Sequence, residues 1–343
     1  MNRRSGIGVM AVVCLFLFVL LAGSVPAYAQ EKVINLNFSN FFPASHKNSI
    51  IMADWCKEVE KRTKGRVKLT YYPGAVLTPA GQTYDSVVKG IADVGESVLG
   101  YTKGRFPLTE VIDLPLGYKN AYVATKMINA YFKKFQPKEF DQVKVMYLHA
   151  HGPGILFTKR PVKSLEELRG MKVRSTGFSA KVAAALGASP VAMPQTESYE
   201  ALRTGIVEGI LNPIEAMKGW KIGEVVKYTI ENYGSAYSTS FFVVMNKSKW
   251  NSLPPDIQKI IEGINEEWME KQGKQWDAID KEGREFMTQR GNKFITLTKA
   301  EDKRWAEKVR PVIDEYVKEL KTKNLPGEEA LKFCLDYLKT HQQ

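Results

Sequence analysis

Residues 162–177 read V-K-S-L-E-E-L-R-G-M-K-V-R-S-T-G and contain the arginine that the rest of the chain is organised around. Ser164, with Glu167 three residues later, predicts a capped helical turn that Gly170 ends. A strand follows at once, and Arg174 comes at its carboxyl end. In open α/β sheets this end borders the ligand-binding edge, so the sequence predicts that Arg174 faces a ligand.

The guanidinium of Arg174 suits a carboxylate. It offers a planar fork of donors that fits two oxygens with parallel hydrogen bonds, each worth about 1.5–3 kcal/mol. Lysine would not match that geometry. Spacing alone is also compatible with a structural ion pair or a solvated charge at this position.

Two more segments follow, G-A-S-P-V-A-M-P at 187–194 and Y-E-A-L-R-T-G-I-V-E-G-I-L-N-P at 199–213. Together with the first segment they resemble the DctP-type solute-binding proteins of tripartite ATP-independent periplasmic (TRAP) transporters. The resemblance extends over nearly all of the mature chain. It implies that Arg174 holds the carboxylate of a ligand and that Asn212 lies in the same cleft.

The resemblance implies an α/β fold of two lobes, each a mostly parallel sheet flanked by helices, with one long helix spanning both. We predict a first lobe of residues 30–152 and 238–253, a second lobe of 153–237, the spanning helix over 254–290, and a C-terminal strand and helices over 291–343. Helical periodicity predicts the long helix independently. At 1.5 Å per residue it is roughly 50 Å long, too long to serve one small lobe.

The chain departs from the family at one position. Many members carry a second arginine before the first, but counting back twenty residues from Arg174 reaches Gly154. The sequence therefore favours a ligand with one carboxylate and a less polar body.

An internal repeat also predicts two similar lobes. Residues 84–97, Y-D-S-V-V-K-G-I-A-D-V-G-E-S, recur as residues 199–212, Y-E-A-L-R-T-G-I-V-E-G-I-L-N. Each copy predicts a short helix, a glycine stop and a strand with a polar tip. Chance similarity of two helix-to-strand turns is the alternative. If the lobes face each other, both tips and Arg174 border one cleft.

Nine residues are predicted to bind the ligand in this cleft, chosen from strand tips, loops near strand ends and the repeat. They are Arg174, Asn212, Glu96, Ser97, Phe42, His151, Tyr237, Phe241 and Tyr199. Phe41 and Tyr101 lie in similar positions. The aromatic members suit an aromatic or branched apolar ligand, although such residues equally suit a core.

The segment H-A-H-G-P-G at 149–154 is predicted to cross between the lobes. His149 and His151 share one face of a strand and could ligate a metal, but nothing nearby completes a set of ligands. We therefore predict neither a metal nor a cofactor. Gly152 and Gly154 favour mobility at this crossing, with His151 available for a hydrogen bond at the lobe junction.

The N-terminus predicts a secretory signal peptide over residues 1–29, cleaved near Ala29, and hence a periplasmic protein. Arg3 and Arg4 precede an apolar run at 7–21 that is shorter than the roughly twenty residues needed to span a membrane. Residues 1–29 contain two arginines and no lysine or acid, so the remaining 314 residues carry a net charge of +10 instead of +12. That length is enough for two domains.

The charge pattern limits the kinds of partner, and the cysteines bear on a possible disulfide. Basic residues are interleaved with acids and no basic stripe carries stacking aromatics, which argues against nucleic acid. The expected partners are a small organic acid and the membrane components of a TRAP transporter, without membrane insertion of the mature chain. Cys56 and Cys334 could pair in an oxidising compartment or remain free.

The sequence gives no support for an enzyme. It contains no phosphate-binding glycine loop, nucleophile elbow or paired-cysteine metal motif. One alternative is nevertheless a secreted hydrolase or isomerase that uses His151 and Glu96 as acid and base. Another is a binding protein of an ATP-driven importer, against which only the motifs around Arg174 and Asn212 argue.

Overall fold

The computed structural model describes residues 33–342, so the predicted signal peptide lies outside the described residues. The strands in this part of the chain are β1 (Ile34–Asn40), β2 (Val67–Tyr72), β3 (Val94–Val98), β4 (Val143–Ala150), β5 (Ile155–Thr158), β6 (Lys172–Ser175), β7 (Ser189–Ala192), β8 (Gly209–Asn212), β9 (Tyr228–Glu231), β10 (Ser240–Asn246) and β11 (Lys293–Thr296). The α-helices are α1 (Lys47–Arg62), α2 (Thr83–Val88), α3 (Ala121–Phe135), α4 (Phe178–Ala185), α5 (Ser198–Thr204), α6 (Ala216–Gly219), α7 (Lys247–Asn251), α8 (Pro255–Gln289), α9 (Lys299–Thr322) and α10 (Gly327–His341).

The strands form two sheets, which are the centres of the two lobes. The first sheet has the order β2-β1-β3-β10-β4 and the second the order β11-β9-β5-β8-β6-β7. In each sheet one strand, β10 or β5, runs against its two neighbours while the others share a direction. These reversed strands are the ones that the chain enters on crossing from one sheet to the other. The prediction of two mostly parallel sheets is confirmed.

The two copies of the internal repeat occupy equivalent places in the two sheets. The first copy forms α2 and β3, and β3 lies between parallel β1 and antiparallel β10. The second copy forms α5 and β8, and β8 lies between parallel β6 and antiparallel β5. The repeat in the sequence therefore corresponds to a repeat in topology.

The start of β6 differs in detail from the prediction. A 3-10 turn at Glu166–Leu168 precedes it without any side-chain cap, so the predicted Ser164 cap is wrong. Glu167 instead accepts a hydrogen bond from the backbone N–H of Lys163, at 2.7 Å. Gly170 has the expected positive φ of 73°. The strand that carries Arg174 therefore begins where the sequence predicts.

Helix α8 connects the two lobes. Its 35 residues extend over about 52 Å at 1.5 Å per residue. One buried stripe contacts different neighbours along its length: Ile261 and Trp268 lie in the core of the first lobe, and Met287 lies in a core of the second. Trp276, between them, belongs to an aromatic cluster at the lobe junction. The predicted spanning helix is confirmed.

Two further observations concern compartment and redox state. Among residues 33–342, no helix combines the length and the apolar character needed to cross a bilayer. Cys56 and Cys334 are both buried and free, and burial raises the pKa of each thiol. The two thiols therefore belong to the cores on which they lie and are not paired.

Candidate functional site

A cavity lies between the lobes, where the chain crosses from one sheet to the other. Its volume is about 40 Å³, which is room for little more than a water molecule. The lobes touch beside it, because the backbone N–H of Gln195 in the second lobe donates to the hydroxyl of Tyr101 in the first, at 3.0 Å. A group as large as an aromatic ring would therefore fit here only with the lobes further apart.

The structure brings six of the nine predicted residues to this cavity. They are Arg174, Asn212, Phe42, His151, Tyr237 and Phe241. Phe41 and Tyr101, the two similar aromatic residues, line it as well. Glu96, Ser97 and Tyr199 do not line the cavity.

Arg174 lies at the polar end of the cavity and is 3% exposed. Its Nε and Nη2 donate to the carbonyl oxygen of Met193 at 3.1 and 2.9 Å, and its Nη1 donates to Oδ1 of Asn212 at 3.2 Å. A guanidinium has five N–H donors, so one on each terminal nitrogen remains. These two donors remain for a carboxylate.

No acidic side chain among residues 33–342 forms an ion pair with Arg174. Other buried charged groups in this region do have partners: Glu215, which also lines the cavity, lies 3.0 Å from Nε2 of His46. A buried charge without a counterion is costly, by several kcal/mol on the usual scale. An anion bound at this guanidinium would offset that cost.

The amides beside Arg174 are oriented by its charge. Because the arginine can only donate, Oδ1 of Asn212 must accept, and Nδ2 of Asn212 then donates to Oε1 of Gln195 at 3.0 Å. That leaves Nε2 of Gln195 buried and without a partner in the described chain. The series Arg174–Asn212–Gln195 thus ends in a donor without a partner, and Gln195 lines the cavity.

The rest of the cavity wall is largely aromatic. Phe41 and Phe42 lie with ring centroids 4.3 Å apart, and Phe241 lies 5.2 Å from Trp276. Trp220 stacks on Phe41 at 6.0 Å. Such a wall offers apolar faces to the body of a ligand whose charged end meets Arg174.

Gly154, twenty residues before Arg174, packs directly against an aromatic side chain. A Cβ built at Gly154 would overlap the ring of Tyr237, which is buried and lines the cavity. The two residues also pair across the crossing strands, since the N–H of Gly154 donates to the carbonyl of Tyr237 at 2.7 Å. The tyrosine ring fills the space that a side chain at 154 would need.

The neighbouring Gly152 has a related role. Its Cβ would overlap the carboxylate of Asp280 on α8. Both glycines of the crossing are thus explained by close packing, and neither is among the glycines with positive φ. The glycines lie between β4 of the first sheet and β5 of the second, and the reason for them is close contact rather than mobility.

A profile of the bacterial extracellular solute-binding proteins of family 7, the DctP family, matches residues 38–320. The chain belongs to this family. A TRAP solute-binding protein of Rhodoferax ferrireducens, solved with copurified benzoate, is 28% identical with a TM-score of 0.85, and the match covers 90% of this chain and 99% of that one. A TRAP solute-binding protein of Bordetella bronchiseptica, solved with mandelate, is 30% identical with a TM-score of 0.83 and covers the same shares. The C4-dicarboxylate-binding periplasmic protein DctP of Rhodobacter capsulatus is 28% identical over 90% of this chain and 94% of its own length.

The predicted resemblance and the two-lobed fold are therefore confirmed for this solute-binding protein.

Glu96 is one of the three predicted residues that do not line the cavity, and it lies behind the cavity wall. Its Oε1 accepts from Nε2 of His149 at 3.0 Å and its Oε2 accepts from the side-chain amide of Asn40. Burial raises the pKa of Glu96 and lowers the pKa of His149 to about 3. The acid and base that an enzyme would need, Glu96 and His151, are not paired with each other.

The position of Glu96 follows from the length of β3. This strand continues to Val98, which lines the cavity, and side chains two residues apart share a face. The side chain of Glu96 therefore lies on the same face of β3 as that of Val98, but two residues further from the cavity. Ser97 points elsewhere, and its hydroxyl donates to the carbonyl of Ala80 at 2.7 Å.

Tyr199 is on α5, away from the cavity. Its hydroxyl donates to the carboxylate of Glu224 at 3.1 Å in an exposed pair. The equivalent tyrosine of the first copy, Tyr84, is fully buried and donates to the carbonyl of Glu139 at 2.9 Å. Both repeat tyrosines thus serve the packing around their own short helix.

Sequence reasoning missed several lining residues of this solute-binding protein, among them Gln195, Trp220 and Trp276. Gln195 follows a proline in a loop, and no local pattern distinguishes it from a surface glutamine. Trp220 and Trp276 come from segments distant in the sequence. The four-residue spacing of Trp268, Gln272 and Trp276 on α8 indicates a buried stripe, but not which of its members borders a cavity.

Proposed function

We propose that this TRAP solute-binding protein captures a small monocarboxylate with an aromatic or apolar body and delivers it to the membrane components of a TRAP transporter. The observation that carries the proposal is the buried guanidinium of Arg174, which has two free donors and no acidic partner in the described chain. The carboxylate of the ligand supplies the missing charge. Gln195 supplies a further donor to it.

Three observations support a single carboxylate and an apolar body. The cavity contains one unpaired cation, its wall is aromatic, and the ring of Tyr237 occupies the space beside Gly154. Two similar proteins were solved with benzoate and with mandelate, which are aromatic monocarboxylates. The similar protein named for C4-dicarboxylates shows that the fold also serves acids with two charges.

Binding is coupled to lobe closure. The present cavity is too small for a benzene ring, so the ligand enters when the lobes are apart. Closure then excludes water from the carboxylate that Arg174 binds and from the aromatic wall. The ligand favours a form in which the lobes close onto it, less tightly than around the present cavity, because the open form cannot complete both sets of contacts.

Isothermal titration calorimetry of the ligand-free mature protein with benzoate, mandelate and succinate tests this function. We expect the monocarboxylates to bind more tightly than succinate. Arg174→Ala should lose about 100-fold or more in affinity, because two charge-assisted hydrogen bonds disappear. Arg174→Lys should fall between, because it keeps the charge and loses the fork.

Arg203→Ala is the matched control, since Arg203 is an exposed arginine paired with Glu200 on α5. It should bind as the parent protein does. Unchanged affinity in Arg174→Ala, or tighter binding of succinate than of every aromatic acid, would contradict the proposal.

We further propose that residues 1–29 are removed on export to the periplasm. The mature chain would then begin at Gln30 and contain 314 residues. Mass spectrometry of the protein recovered from the periplasmic fraction measures this directly. A mass that corresponds to the full chain would count against it.

A further inference from the structure

His151 presents a hydrogen-bond acceptor to the cavity that the carboxylate does not use. The imidazole lines the cavity and is 3% exposed. Its Nδ1 lies 2.6 Å from the carbonyl oxygen of Gly152. Because a carbonyl can only accept, Nδ1 must carry the proton and donate it.

The other ring nitrogen is therefore defined by geometry. No group in residues 33–342 forms a hydrogen bond with Nε2 of His151. A neutral imidazole that is protonated on Nδ1 has a lone pair on Nε2. The ring neighbours are Tyr237, Phe241 and Trp276, with centroids 5.6 to 6.3 Å away, and they too line the cavity.

The ring is neutral at physiological pH. Burial and, to a smaller extent, the positive charge of Arg174 lower the pKa of His151 to about 4, although the hydrogen bond to Gly152 acts in the opposite direction. A proton on Nε2 would place a second positive charge beside the guanidinium without a counterion. Nε2 therefore accepts hydrogen bonds and does not donate them.

We infer that His151 accepts a hydrogen bond from a hydroxyl group that the solute carries near its carboxylate, so that the preferred solutes are hydroxy-substituted monocarboxylates. This inference rests on the proposed function, because it assumes that Arg174 holds the carboxylate. The interaction with Nε2 of His151 then differs among three otherwise similar acids. A hydroxyl group donates to Nε2, a methylene group leaves Nε2 without a partner, and a keto oxygen sets one lone pair against another.

The polar groups of the cavity then divide between two parts of the solute. Arg174 and Gln195 present donors and take the carboxylate. His151 presents an acceptor and takes the hydroxyl group. A site that is built to accept a hydroxyl proton rejects the analogue that lacks it, because the buried acceptor is then left unpaired.

Calorimetric titration with mandelate, phenylacetate and phenylglyoxylate tests the inference. These acids differ only in carrying a hydroxyl group, no substituent or a keto oxygen on the carbon next to the carboxylate. We expect the tighter-binding enantiomer of mandelate to exceed phenylacetate by at least about fivefold, and phenylglyoxylate to bind more weakly than mandelate. Equal affinities for mandelate and phenylacetate, or tighter binding of phenylglyoxylate, would overturn it.

Variants test whether the preference for mandelate over phenylacetate depends on the imidazole of His151. His151→Phe keeps an aromatic ring and removes the acceptor, so the ratio of mandelate to phenylacetate affinity should fall to about one. His151→Gln restores an acceptor and should recover part of the ratio. His341→Phe, which changes an exposed histidine on α10, should leave the ratio unchanged. A ratio that persists in His151→Phe would overturn the assignment.

The test separates the inference from the function on which it rests. If none of the three acids binds, the proposed function fails. If phenylacetate binds through Arg174 as tightly as mandelate does, the function stands and the role of His151 fails. The comparison of the three acids on the parent protein decides this even if the His151→Phe variant does not fold.

Discussion

The two lobes carry polar clusters on equivalent strands, and the clusters differ in whether their hydrogen bonds are complete. In the first lobe, Trp276 donates to Nδ1 of His149 at 2.9 Å, His149 and Asn40 donate to Glu96, and Oδ1 of Asn40 accepts from the N–H of Phe42 at 2.9 Å. Each of these groups has a partner. In the second lobe, the series Arg174–Asn212–Gln195 ends with unused donors.

This difference supports the proposal that the second cluster binds a ligand, whereas the first cluster stabilises the fold. Both are buried, so burial alone does not distinguish them. Buried donors that remain free are costly in an empty site and become favourable only when an acceptor arrives. The complete cluster of the first lobe instead orients the rings of Phe42 and Trp276, which form part of the cavity wall.

The largest expected effect breaks the complete cluster. Glu96→Ala leaves the donors of His149 and Asn40 unpaired and opens a cavity, so the free energy of unfolding should fall by about 3–5 kcal/mol. Asn212→Ala should cost only about 1 kcal/mol in unfolding and about tenfold in affinity for an aromatic acid. Urea denaturation and calorimetry measure the two quantities.

Glu96→Gln is the control for that pair, since it keeps the volume and one acceptor and should lie between the parent and Glu96→Ala in stability. The contrast between the clusters would be lost if Asn212→Ala destabilised the fold as much as Glu96→Ala and left the affinity unchanged.

A smaller effect is the dependence of stability on pH that His151 causes. The pKa of His151 is about 4 in the folded protein and near 6.5 in an unfolded chain, so the unfolded chain binds the proton first as the pH falls. The stability that neutral His151 contributes is therefore present above about pH 6.5 and is lost between about pH 6.5 and 4. Relative to His151→Phe, the parent should lose about 2 kcal/mol of unfolding free energy between pH 7 and pH 5.

Denaturant titrations of both proteins at several pH values measure that difference. A difference in stability that does not change with pH would show that folding does not shift the pKa of His151.

The smallest effect concerns the repeat itself. Tyr84→Phe removes a hydrogen bond of a fully buried ring to the carbonyl of Glu139 and should cost about 1 kcal/mol of unfolding free energy. Tyr199→Phe removes an exposed contact with Glu224 and should stay within about 0.5 kcal/mol. Thermal unfolding of the two variants makes the comparison, and equal costs would mean that the second copy is as tightly packed as the first.

Much of the fold was predictable because local patterns carry it. The alternation of strands and helices, the repeat at 84–97 and 199–212, and the stripe along α8 all depend on residues close in sequence. The position of Arg174 near the end of β6 was predictable for the same reason. Lobe boundaries at the two crossings remain a proposal that these patterns support.

The site was predicted less completely because it is assembled from distant segments. Glu96 and Arg174 both lie near strand ends with polar side chains, yet one is part of a closed cluster and the other faces the cavity. The difference depends on His149, which completes the bonds of Glu96, and on two extra residues of β3. Neither feature can be read from the repeat.

The sequence by itself determined the kind of chemistry that this protein presents: a strand that ends in an arginine, an asparagine at the equivalent tip of β8, and a glycine rather than a second arginine twenty residues before the first. Only the tertiary structure decided which donors and acceptors remain free. A hydrogen bond is completed by whichever partner the fold brings near, and Gln195, His151 and Tyr237 acquire their roles from neighbours far away in the chain.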